Sequence, residues 1–300
     1  MNRDGTSGWA GDPAVTSSGR ILVTGPTGTV GGPLADLLAG RGAQVVAGAL
    51  HPARFAGSAE CRALDFERPE TFPGALAAVR QVFLMRPPAI SDTKRYLRPF
   101  IQAAERAGVE HVVFLSLMGV NRFMPHWQVE QDLRASSLGW TFLRPSFFAQ
   151  NLQAAYLADI RDRSQLRVAS GRARTSFIDT RDIAAVAGLV ICDPAPHAGR
   201  AYTLTGPEAL DYYRVAALLS AELGRRVIYE PLTLLNCRRE LKQQELPAAY
   251  VNIQLLISVV ARLGLAARVT GTVERLLGRS PTPLATYLHD QRECWTSLSR

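Results

Sequence analysis

The sequence predicts an α/β protein built on a doubly wound parallel sheet, and three observations carry that expectation. From Arg20 onward, short β-branched runs alternate with helical segments. A glycine-rich turn separates the first run from the first helix. Beyond Ala149 the rhythm loosens and the chain reads as mainly helical. The expected organisation is a disordered polar tail over residues 1–19 and a nucleotide-binding core over 20–150. Residues 151–300 would then hold the remaining sheet elements and a smaller, mainly helical C-terminal substrate lobe.

Taken in order, Ile21 to Gly25 (ILVTG) is the first strand, an apolar run ending on glycine. GGPLADLLAGRG sets Leu34, Leu37 and Leu38 on one helical face and stops at Gly40 or Gly42. Ala43 to Ala49 is the second strand, a short third follows at CRALDF, and a helix runs through Ala75 to Val79. Gln81 to Met85 is the fourth strand, closed by Arg86-Pro87-Pro88. A helix from Thr93 to Ala107, a fifth strand from His111 to Ser116, a helix through Val129 to Ser136 and a sixth strand from Trp140 to Pro145 complete the core. Later come a short strand, a helix begun by Asp179 or Thr180, the strand and turn AYTLTGPEAL, and a tail from Tyr212 that is mainly helical, with one strand at Arg226 to Glu230. In FIDTRDIA the Asp179, Arg181 and Asp182 side chains are expected to cap the helix and pair locally. The apolar stretch from Tyr250 to Leu263 could line a greasy substrate pocket or a dimer face, and inward packing is the expectation.

Composition narrows the function classes. The formal net charge is +8, but the basic residues are scattered, and the longest clusters are the pairs Arg225-Arg226 and Arg238-Arg239. That is no basic patch interleaved with aromatics, so no nucleic-acid partner is expected. Cys61, Cys192, Cys237 and Cys294 lie far apart, which gives neither zinc-ligand spacing nor a disulfide framework and suits a reducing cytoplasm. No apolar run has signal-peptide or membrane-span character, since Val251 to Leu265 is broken by Asn252, Gln254, Ser258 and Arg262. A monomer and a homodimer both fit.

The run Thr24-Gly25-Pro26-Thr27-Gly28-Thr29-Val30-Gly31-Gly32 carries the chemistry. After an apolar strand and before an amphipathic helix, Gly25 makes the tight turn and Gly28 admits a pyrophosphate to the backbone. Gly31 lets the helix lie against the strand. The helix N-terminus adds free N–H groups and the positive end of its dipole. This is the dinucleotide seat of a Rossmann fold, and Gly25, Thr27, Gly28, Thr29, Val30 and Gly31 are its candidate cofactor contacts. The end of the second strand reads Ala47 to Arg54 without a carboxylate for ribose hydroxyls, whereas His51 and Arg54 suit a 2′-phosphate. NADP(H) is therefore expected over NAD(H). Asp65 would accept from the adenine amine, and Phe66, Met85, Arg86, Pro87, Pro145 and Phe148 are further candidate contacts along the strand ends.

The usual short-chain dehydrogenase pair is a tyrosine with a lysine four residues later. The only lysines are Lys94 and Lys242, preceded at that distance by Ile90 and Arg238, so the pair is excluded. TGPTGTVG, the fifth-strand end FLS, PHWQVEQDLRASSLGWTFLRPSFFAQNL and FIDTRDIAAVA resemble the NmrA-like family of atypical short-chain dehydrogenases, over roughly Arg20 to Arg226. The tail TGTVERLLGRSPTPL fits as well. That resemblance implies NAD(P) binding without the tyrosine–lysine pair. Its members include reductases of quinones, enones and imines, among them ergot-alkaloid reductases of secondary metabolism, and also redox sensors that do no chemistry. It further implies His126, four residues before Glu130, beside the nicotinamide, with Ser116 nearby as a second catalytic candidate. The expected activity is an NADPH-dependent oxidoreductase passing hydride to a C=N, C=C or quinone carbonyl of a small apolar or aromatic metabolite. The alternative is a dinucleotide-sensing regulator that binds a protein partner.

Overall fold

A computed structural model describes residues 19–245 and 248–296, so the expected disordered tail, apart from Gly19, lies outside the described residues. The order begins β1 (Arg20–Thr24), α1 (Gly31–Gly40), β2 (Val45–Ala49), β3 (Glu60–Ala63), α2 (Phe72–Leu76), β4 (Val79–Met85), α3 (Thr93–Arg106), β5 (His111–Leu115), α4 (Pro125–Ala135) and β6 (Gly139–Pro145). Next come β7 (Phe147–Phe148), α5 (Gln150–Arg163), β8 (Gln165–Val168), β9 (Arg174–Ile178), α6 (Thr180–Cys192), β10 (Arg200–Leu204) and β11 (Ala209–Asp211). The described chain closes with α7 (Tyr212–Leu223), β12 (Ile228–Pro231), α8 (Leu234–Gln243), α9 (Ala248–Arg262), α10 (Thr272–Leu277), α11 (Leu284–Asp290) and α12 (Arg292–Thr296).

The main sheet has seven strands in the order β10-β6-β5-β4-β1-β2-β3. β1 pairs in parallel with β2 (Leu22 opposite Val46) and with β4 (Leu22 opposite Val82), and β2 pairs in parallel with β3. The chain steps outward from β1 through β2 to β3, then returns to β4 on the other side. The crevice at the carboxyl ends of β1 and β4 is therefore the topological switch point of a Rossmann sheet. Ile21, Leu22 and Val23 are all buried, as a strand covered on both faces requires.

Compactness divides the chain into two units. Among the described residues, one takes 19–114, 129–141 and 187–200; the other takes 115–128, 142–186, 201–245 and 248–296. The sequence boundary at 150 draws one crossing where the chain makes several. The second unit carries a three-stranded sheet, β11-β9-β7, and a two-stranded one, β12-β8. Its core gathers Leu152 and Ile160 of α5, Leu166 of β8, Tyr212 and Leu219 of α7, Tyr287 and Trp295.

Several local expectations change. Val79 opens β4 instead of closing a helix, because Ala78 takes a left-handed turn (φ 59°) just before it. α4 starts one turn early, at Pro125, so His126 is helical. Asp182 does not pair only locally. Fully buried, it accepts from the Thr282 N–H (2.6 Å) and hydroxyl (3.2 Å) and faces the Arg279 guanidinium at 2.7 Å. Asp179 accepts locally from the Arg181 N–H and guanidinium, but it also accepts from the Gln150 side-chain amide (3.0 Å), and Arg181 reaches Asp290 at 2.7 Å. α9 does not pack wholly inward: Val251 and Ala261 are buried, but Ile253 and Leu256 are about half exposed at 49% and 53%. Its apolar residues are spread around the helix, so the packed face does not cover them all.

A buried histidine makes the first unit sensitive to acid. The Thr141 hydroxyl spends its hydrogen on the His197 carbonyl (2.7 Å), so His111 must donate from Nε2 to Thr141 Oγ1 (2.9 Å). Burial, helped by the neighbouring His197, lowers the His111 pKa from 6.5 to about 4. A depressed histidine pKa favours the fold above the unfolded value and withdraws that stability as pH falls from about 6.5 toward 4. For His111 the loss is on the order of 3 kcal/mol. Urea denaturation across that range should show this slope in the wild type and a shallower one in His111→Gln. Equal slopes would contradict it.

Candidate functional site

A cavity of about 600 Å³ opens in the first unit at the carboxyl ends of β1, β2, β3 and β4. Thr24, Gly25, Pro26 and Thr27 form one wall; Gly48 to His51, Arg54 and Phe55 form a second. Leu64 to Glu67 form a third, and Met85 with Pro87 to Ile90 the last.

The glycine wall depends on its residue types. Gly25 has φ +63°, a backbone that side-chain-bearing residues resist. Its carbonyl accepts from the Gly28 N–H (3.0 Å), closing the turn. A Cβ on Gly31 would stand 2.2 Å from the Gly25 oxygen and 3.1 Å from the Thr24 oxygen, so only glycine lets α1 start this close to β1. Thr27 and Thr29 are exposed on the loop. Val30 is buried, so its side chain serves the core and leaves only its main chain for a ligand. The Thr24 hydroxyl accepts from the Met85 N–H (2.8 Å), tying the ends of β1 and β4 together.

At the end of β2, the short turn Pro52–Arg54 presents His51 and Arg54, both exposed, to the cavity. Across from them Asp65 is fixed by Thr71, whose hydroxyl accepts from the Asp65 N–H (3.1 Å), while Asp65 Oδ1 accepts from the Glu67 N–H (2.9 Å). Phe66 is held by an edge contact to Phe100 at 5.1 Å. The cavity therefore joins a left-handed glycine turn, the Arg54 guanidinium, the His51 imidazole, the carboxylates of Asp65 and Glu67, and apolar walls. That set fits the diphosphate, ribose and base of a dinucleotide.

Arg86 is placed differently from the sequence expectation. It does not line the cavity; its guanidinium donates to the Pro87 oxygen (3.0 Å), the Pro88 oxygen (3.2 Å) and the Ile90 oxygen.

The remaining candidates belong to the second unit. Just past β5, the Ser116 N–H donates to the Leu143 oxygen (2.8 Å), and the Met118 N–H donates to the Pro145 oxygen (2.9 Å). Ser116 and Pro145, both buried, thus sit on laced neighbouring segments. Phe148 pairs opposite Ile178 in the small sheet. His126 is half-buried in the first turn of α4. Sequence reading passed over Ser146, whose buried hydroxyl has no hydrogen-bond partner among the described residues. Nothing in a lone serine after Pro145 signals that; only burial shows it.

Fold and cavity together define a Rossmann-type dinucleotide-binding protein. The chain matches the NmrA-like family over residues 17–262, and it belongs to that family. It is 33% identical over 277 residues to an NAD(P)H azoreductase of Xenophilus azovorans, covering 89% of this chain and 96% of that one. It is also 33% identical over 301 residues to the (4-alkanoyl-5-oxo-2,5-dihydrofuran-3-yl)methyl phosphate reductase of Streptomyces griseus, covering 92% and 99%. Among solved structures it is similar to the NADPH complex of an NADPH-dependent quinone oxidoreductase of Escherichia coli, with TM-score 0.81, 25% identity and coverage of 91% and 99%.

Proposed function

We propose that the protein is a cytoplasmic NADPH-dependent reductase of small apolar or aromatic electrophiles: a C=N, a C=C or a quinone carbonyl. The observation that carries this reading is the cavity at the β1/β4 switch point, walled by the glycine loop and faced by His51 and Arg54 where a carboxylate would select NAD. The azoreductase and quinone oxidoreductase relatives support reduction by NAD(P)H, and the furanone phosphate reductase supports a reductase. The four cysteines are free, as a reducing compartment favours.

Gly25, Thr27, Gly28 and the N-terminus of α1 would hold the diphosphate, Asp65 and Phe66 the base, and Arg54 with His51 the 2′-phosphate. When bound, the nicotinamide would supply a hydride. The chain would supply position and a dry surface, with Pro145 and Phe148 as apolar contacts, Ser116 to orient a substrate carbonyl and His126 to deliver a proton where the substrate needs one. An iminium needs none, which suits a chain without the tyrosine–lysine pair.

Arg54 decides between the dinucleotides. Arg54→Ala should weaken NADPH binding about tenfold and leave NADH within about twofold, since only one carries the 2′-phosphate. Fluorescence titration of wild type and variant with both cofactors reads this directly. Equal losses for the two would remove Arg54 from phosphate recognition.

A further inference from the structure

We propose that Arg86 is a positioning residue that holds one wall of the dinucleotide cavity in its binding shape by gathering the carbonyls of the loop after β4. The inference rests on the reading that the cavity receives a dinucleotide. Pro87, Pro88, Ala89 and Ile90 all line that cavity, whereas Arg86 does not.

The loop has few hydrogen bonds of its own with which to hold its shape. Proline has no N–H, so two of its four residues bring acceptors without donors. The Ile90 N–H returns one hydrogen bond to the Pro87 oxygen at 3.0 Å. Further order comes from Arg86, whose Nη1 donates to the oxygens of Pro87 (3.0 Å), Pro88 (3.2 Å) and Ile90. Three carbonyls turned onto one guanidinium restrict ψ at Pro87 and Pro88, where the rings fix only φ, and at Ile90. A charged donor to neutral carbonyls makes stronger hydrogen bonds than a neutral one, and partial burial of the guanidinium shields them from water. Ile90, buried at 6%, anchors the far end of the loop in the core. The wall is therefore set by a side chain lying behind it, and its shape precedes cofactor binding.

The test compares wild type, Arg86→Met and Arg86→Lys by NADPH titration, thermal melting and steady-state turnover. Methionine keeps the stem and leaves the carbonyls without their charged donor. The expected result is an NADPH Kd raised about tenfold in Arg86→Met, with kcat at saturating cofactor within about twofold of wild type. Arg86→Lys, one bond shorter but still cationic, should fall between the two, and it keeps the comparison standing if the methionine variant misfolds. In Arg86→Ala, free guanidinium ion at tens of millimolar should lower the Kd again. An unchanged Kd in Arg86→Met, with or without a lower melting temperature, overturns the proposal. So does a loss of kcat at unchanged Kd, which would place Arg86 at the reacting end. If wild type itself binds no dinucleotide, the cofactor reading fails first and takes this inference with it.

Discussion

Gly31→Ala should cost the protein on the order of 3 kcal/mol and raise the NADPH Kd by about a hundredfold or more. The new methyl carbon would stand 2.2 Å from the Gly25 oxygen and 2.9 Å from its carbonyl carbon. These are backbone atoms, and no rotamer change can clear them. Either α1 retreats from β1 or the glycine turn opens, and each outcome moves the N–H groups that would meet the diphosphate. Gly40→Ala is the control on the same helix. Nothing lies within 4 Å of its added carbon, so it should be neutral or slightly stabilising. Urea denaturation and cofactor titration of the two variants make the comparison. If Gly31→Ala binds NADPH like wild type, the loop is not the seat described above.

Asp182→Ala should destabilise the protein by about 3 kcal/mol, the loss expected when a buried ion pair is broken from one side. Its carboxylate is fully buried and satisfies the Thr282 N–H, the Thr282 hydroxyl and Arg279. Removing it strands an amide, a hydroxyl and a cation together. Arg279 is 43% exposed and can partly turn to solvent, so Asp182→Asn, which keeps an acceptor for Thr282, should lose clearly less. The nearby helix α10 should become the first site of proteolysis in the alanine variant. Equal stability of Asp182→Ala and wild type would show that the contact contributes nothing.

The two predictions differ in how far the sequence foretold them. Gly31 was legible because its requirement is local: a glycine at this spacing, between an apolar strand and a helix, marks where the two must pack closely. Strands β1, β2, β4, β5 and β6 were legible for a related reason, since a strand buried on both faces is written as a continuous apolar run. Asp182 was not, because its partners lie about a hundred residues on and nothing in TRDIA points to them. α5 gave no warning either. Its apolar residues are scattered around the helix: only Leu152 and Ile160 are fully buried, while Tyr156 and Leu157 pack on the core partly exposed. Arg86 shows a third kind of limit. A cation at a strand end beside a phosphate seat reads as a ligand contact, and only the carbonyls turned toward it show that it serves the loop. The cavity at the ends of β1 to β4 was thus readable from turn chemistry. In the second unit, Ser116 and His126 came from family resemblance, Pro145 and Phe148 from their place at a strand end, and Ser146 only from burial.

One measurement bears most directly on the proposed reductase. Purified protein is mixed with NADPH and, in turn, a quinone, an azo dye, an enone and a cyclic imine, and the near-ultraviolet absorbance of reduced nicotinamide is followed. Catalytic NADPH oxidation is expected with at least one of these electrophiles. A primary isotope effect should appear when the transferable hydrogen is deuterium, and Gly31→Ala should lose activity at working cofactor concentration. Tight NADPH binding without turnover across the whole panel would contradict the reductase and leave a dinucleotide sensor in its place.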